Sequence, residues 1–86
     1  AEPTGNDTLM GRAHFGIAGA FMQLTDLNGA LKHFNIAFER FQHAGDSLGM
    51  GAVCKETAIV YQRAGDTEGT LRYMRKAQAY GLSEGI

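Results

Sequence analysis

An all-α fold, in which four helices pair antiparallel as two repeats, is what three features of this 86-residue chain predict. First, from Asp26 to Phe41 the apolar residues Leu27, Ala30, Leu31, Phe34, Ala37, Phe38 and Phe41 recur at three- and four-residue spacing. Asn28, Lys32, Asn35, Glu39 and Gln42 fall on the other side, the pattern of an amphipathic helix. Second, a shift of 40 residues takes Asp26, Gly29, Leu31 and Ala37 to Asp66, Gly69, Leu71 and Ala77, and Met10-Gly11 to Met50-Gly51. It also takes Ala18 and Phe21 to Ala58 and Tyr61. An offset that holds along the chain marks an internal repeat. Third, aspartates and glycines stand where helices start and stop, and no strand pattern intervenes.

The elements follow in order. Asn6 or Asp7 is expected to cap a first helix running to about Leu24, because a short polar side chain accepts from backbone N–H groups that the first turn leaves unpaired. Asp26 caps the second, which ends near His43 with Gly45 supplying a left-handed turn. Asp46 or Ser47 caps the third, ending near Ala64-Gly65, and Asp66 caps the fourth, ending near Tyr80 with Gly81 just beyond. Connections this short force consecutive helices into antiparallel hairpins. Thr4-Gly5-Asn6-Asp7 aligns with Ala44-Gly45-Asp46-Ser47, so Ala1 to Gly5 reads as the end of a preceding unit. Glu84-Gly85-Ile86 begins the same punctuation again. The expected organisation is one array over 1–86, with repeat one at about 6–45 and repeat two at about 46–85, either a piece of a longer array or a protein trimmed to whole repeats.

Composition bounds the function. A chain that is 44% hydrophobic and 20% charged belongs to a globular protein rather than a disordered one. Its formal net charge of -1 argues against nucleic acid as the main partner, since phosphate binding needs clustered cations. No apolar run approaches the ~20 residues that span a bilayer, and there is no signal-peptide pattern. The lone Cys54 points to a reducing, cytoplasmic setting.

At this point the residues resemble the tetratricopeptide repeat (TPR), whose signature is a large aromatic, Leu-Gly, Tyr, Ala-x3-Phe and Pro. The first copy has His14, Ile17-Ala18, Phe21, Ala30-x3-Phe34 and Ala37, with Gln42 in the proline slot. The second has Cys54, Thr57-Ala58, Tyr61, Thr70-x3-Met74 and Ala77, with Leu82 there. The leading tryptophan and both prolines are absent, and the longer period with its Gly-Asp joint is similar to the Pins/LGN and rapsyn group. The resemblance implies a right-handed α-solenoid scaffold whose concave groove binds a protein or peptide.

In such an array His14, Ile17, Ala18, Phe21 and Leu24 face the second helix, while Arg12, Phe15, Gly19, Met22 and Gln23 line the groove. The third helix adds Ala52, Lys55, Ile59, Gln62 and Arg63. The partner-binding set is therefore Arg12, Phe15, Met22, Gln23, Lys55, Ile59, Gln62 and Arg63, an apolar floor with cations suited to an acidic peptide. The competing expectation is that Phe15, Met22 and Ile59 pack against neighbouring repeats or a second chain. A dicarboxylate clamp is disfavoured, because Gly19 and Ile59 stand where it needs asparagine.

Other chemistry finds little support. His14 and Cys54 occupy equivalent slots in different repeats, and His33 and His43 are ten residues apart, so no metal site or other cofactor is expected. No spacing matches a catalytic or phosphate-binding motif, so no enzyme is expected. Arg63, Arg72, Arg75 and Lys76 read as a solvated face rather than a basic patch. Lys76, Gln78 and Gly81 replace Ile36, Phe38 and Phe41, which gives the fourth helix the polar exterior of a terminal cap. Two functions remain: groove capture of a partner's peptide or helix, and self-association into a homodimer or oligomer within a larger TPR protein. A sensory or regulatory role in a signalling protein ranks third.

Overall fold

The computed structural model describes residues 3–85, with side chains over 5–80. Four helices make up the fold: α1 (Pro3–Gln23), α2 (Leu27–Ala44), α3 (Ser47–Ala64) and α4 (Thr67–Gly85). No strand occurs among the described residues, so the protein is all-α. None of these helices is long and apolar enough to cross a membrane.

The three joints are one device used three times. At each, an aromatic residue near the helix end accepts through its carbonyl from the N–H of the aspartate five positions on: Asp26 to Phe21, Asp46 to Phe41 and Asp66 to Tyr61, all at 2.9 Å. The residue before each aspartate is left-handed, at φ 58° for Thr25, 69° for Gly45 and 82° for Gly65. Its N–H reaches the carbonyl of Met22, Gln42 or Gln62, so otherwise orphaned carbonyls of the last turn are satisfied. Each aspartate then caps the next helix, accepting from Gly29, Gly49 or Gly69 at 3.0, 2.9 and 2.9 Å. Those glycines are required by packing. A Cβ on them would come within 2.7, 2.6 and 2.8 Å of the rings of Phe21, Phe41 and Tyr61. The unit of local structure is therefore a 20-residue recurrence of aromatic, left-handed residue, Asp and Gly, nested inside the 40-residue repeat.

The ends of the chain differ from expectation. Asn6 and Asp7 do not cap α1; they lie within it, because Pro3 occupies the first turn, where its missing N–H is no loss. Asp7 instead accepts from Arg40 at 3.3 Å, linking α1 to α2. Gly5 and Gly85 are both helical, so neither makes a joint. Gly81 does not end α4, which continues to Gly85. Ala1, Glu2 and Ile86 lie outside the described residues, as does the side chain of Leu82.

α1 packs along α2, and α3 along α4, more extensively than α2 packs on α3; α1 also reaches α3. The core runs through Ala18, Met22, Ala30, Phe34, Ala37, Phe41, Met50, Val53 and Val60. Fully buried Ala18, Ala30 and Ala37 let the helices approach, and Phe34, 1% exposed, fills the space between them. Ile17 and Leu24 do not face α2 as expected. They stay exposed because α2 meets the side of α1 that carries Gly11, Ala18 and Met22.

Candidate interaction surfaces

The largely apolar recess on the α1–α3 side is built around Phe41. Its ring lies between Gly11 of α1 and Gly49 of α3, both close enough that a Cβ at either would meet it within 3 Å. Arg12, Phe15 and Gly16 of α1 and Ala52 of α3 complete the lining, enclosing about 290 Å³. That is the size of one large side chain rather than of a whole ligand. Phe15 is braced edge-on against Phe34, with ring centroids 5.6 Å apart. The cavity exists because residues 16, 49 and 52 are small, and Arg12 is the charged group at its edge.

Ala52 also lines a second recess of about 190 Å³, bounded by Ser47, Leu48, Gly51 and Lys55 of α3 and Ala77 and Tyr80 of α4. The two recesses share Ala52 as a wall, with Arg12 lining the first and Lys55 the second. Of the expected binding set, Arg12 and Phe15 line one recess and Lys55 the neighbouring one. Met22 is a correction. It is 7% exposed and belongs to the core, because its side of α1 faces α2. Ile59 is half-buried against the same core. Gln62 lines a separate hollow with Gly65, Thr67 and Thr70, while Gln23 and Arg63 are exposed in the last turns of α1 and α3. Sequence reasoning missed Phe41 and Gly49 as site residues. The signal was the recurrence of an aromatic eight residues before a glycine at all three joints.

The opposite side carries less. Asn35, Phe38, Val53, Cys54, Thr57, Tyr73 and Lys76 surround about 50 Å³. Burial pushes the Cys54 thiol above its ordinary value, and the nearby Lys76 charge only partly opposes this, so Cys54 is a poor nucleophile at neutral pH. The basic residues are not gathered. Arg72 and Arg75 share a surface with Glu68 and Leu71, whereas Lys76 lies 4.9 Å over the Tyr73 ring.

One unexpected pair joins α1 to α2. His14 Nδ1 and His33 Nδ1 are 2.9 Å apart, and Phe21 stacks against His33. The imidazole centroids are 5.1 Å apart and the rings are 16° from parallel, so one N–H points nearly along the ring plane at the other ring's bare nitrogen. Among the described residues no three His, Cys, Asp or Glu side chains converge to hold a metal.

Comparison of the chain with protein-family models, with curated proteins and with solved structures finds no match.

Proposed function

We propose that the chain is a protein-interaction module of tetratricopeptide-like helix pairs, arranged as a right-handed solenoid and working in the reducing cytoplasm. It captures a peptide or helix of a partner protein in the trough between α1, α3 and α4. The observation that supports this reading is a pair of recesses with a common wall at Ala52, one lined by Phe15, Phe41 and Arg12 and the other by Lys55, which together would make the trough. An apolar side chain of the partner fills the recess over Phe41 and gives strength, while partner carboxylates on Arg12 and Lys55 set the register.

The test is selection of peptides from a displayed random library, followed by titration against substituted chains. Arg12→Glu and Lys55→Glu are each expected to weaken binding at least about tenfold, since each turns an attraction into a repulsion. Ala52→Phe, which fills the junction of the two recesses, should abolish it. Helicity should be unchanged in all three, because these positions are exposed. Selected peptides that ignore all three substitutions would refute the trough as the binding site.

A further inference from the structure

We propose that the outward side of α1 is a homodimer interface, on which α1 of a second copy packs antiparallel about a two-fold axis at Gly16–Ile17. Leu9, Ala13, Gly16, Ile17, Ala20 and Leu24 recur at helical spacing on that side and are all exposed, Leu9, Ile17 and Leu24 by 66%, 41% and 73%. Leu24 keeps the register because its N–H donates to the Ala20 carbonyl at 3.1 Å. No charge interrupts the stripe. The other end of the molecule is different. α4 exposes Leu71 and Met74 too, by 52% and 47%, but Glu68, Arg72, Arg75, Lys76 and Gln78 are exposed among them and break up its apolar surface. One end of the helix row is finished for water and the other is not.

The occupant is written in the order of the stripe. About that axis Leu9 stands opposite Leu24, Ala13 opposite Ala20, and Ile17 opposite Gly16 of the second copy. The large side chain at the centre therefore meets the smallest residue of the stripe, twice over, which is the self-complementarity a two-fold contact needs. Arg12 flanks the stripe, and about this axis it stands level with Phe21 of the second copy and not beside a second cation. Gly16 is compatible with this contact. A Cβ there would meet nothing within 4 Å, as at Gly5 and Gly19, so packing within one chain leaves room over it for the side chain of a second helix.

A helix of 21 residues is about 31 Å long, and one such pair buries less than the roughly 1,200 Å² of a standard interface. The dimer is accordingly weak. Sedimentation of the 86-residue chain from about 10 μM to 1 mM should show the mass rise from one chain towards two. Ile17→Glu and Ala13→Glu, both at exposed positions, should each shift the midpoint upward by at least about tenfold with helicity unchanged. Mild oxidation reads the orientation. Ile17→Cys chains should cross-link to themselves, and Leu9→Cys chains should cross-link to Leu24→Cys chains but not to each other. Buried Cys54 remains unreacted as the internal control. A chain that stays monomeric at 1 mM would overturn the proposal and leave the stripe to a different protein or segment. A dimer that survives both glutamates, or Leu9→Cys self-cross-linking, would overturn it equally.

Discussion

Thr25 shows at single-residue scale what a joint requires. It is the only described non-glycine residue with positive φ, at 58°, and stands where the other two joints have Gly45 and Gly65. A β-branched side chain in the left-handed region costs roughly 1–2 kcal/mol, because its Cβ crowds the following carbonyl. Thr25 recovers little of this through its hydroxyl, which donates to the exposed carbonyl of Leu24. Thr25→Gly is therefore expected to stabilise the chain by about 1 kcal/mol after the greater freedom of glycine in the unfolded state is allowed for. A denaturant midpoint that fails to rise, with an unchanged slope, would show that the strain is relieved elsewhere. The residue-level lesson for reading sequences is that glycine marks two of the three left-handed positions and threonine hides the third.

At the scale of the element, the joint and the helix that follows it act together. Each aspartate ends one helix through its backbone N–H and begins the next through its carboxylate, so only two or three residues separate helices. The glycine three positions on is needed because the preceding helix lays an aromatic ring across it. At Gly49 a methyl would meet Cγ and Cδ1 of Phe41 at 2.6 Å, and Phe41 is buried and held by Gly11 on its other side. Overpacking of this kind costs about 1–3 kcal/mol, more than the ~1 kcal/mol that replacing a helical glycine by alanine returns. Gly49→Ala should lower the melting temperature. Gly16→Ala, where the new methyl meets only open space, should raise it when measured dilute enough to keep the chain monomeric. Opposite signs for two Gly→Ala changes in helices would separate a packing glycine from a surface one. Two changes of the same sign would mean that the Phe41 ring yields more easily than its burial indicates.

The whole molecule depends on how its two hairpins are joined. Contacts within each hairpin exceed those between them, and the slab is thin, 42 × 31 × 14 Å, so much of every helix faces solvent. Phe41 is the residue that touches both α1 and α3 from α2. Phe41→Ala is expected to cost about 3–5 kcal/mol. Total stability for a chain of this size is of the order of 4–13 kcal/mol, so the loss is a large share of it and the melting temperature should fall by roughly 12–40 °C. The measurement is a melt followed by helical circular dichroism and by the tyrosines of the second hairpin. If the tyrosine signal melted at the wild-type temperature while half the helix was lost, the hairpins would be independent units and Phe41 would not couple them.

The four helices, their antiparallel order and the three joints were legible in the residues because they are set locally. Side chains and backbone groups within about five positions decide where a helix stops, and apolar spacing decides that it forms. The ends near Gly5 and Gly81 were misplaced because glycine alone does not end a helix; it needs the aspartate and the aromatic carbonyl that the true joints supply. Which way α1 turns was not local. That Met22 is buried and Ile17 and Leu24 are exposed follows from where α2 comes to rest, on the side of α1 that carries Gly11, Ala18 and Met22. The trough is likewise a product of packing. Arg12 and Lys55 are 43 positions apart and line recesses that share Ala52 because Phe41 holds α1 and α3 at either side of one ring. Periodicity and caps determined which segments are helices, whereas the choice of inner and outer faces was made by steric fit between segments distant in the chain.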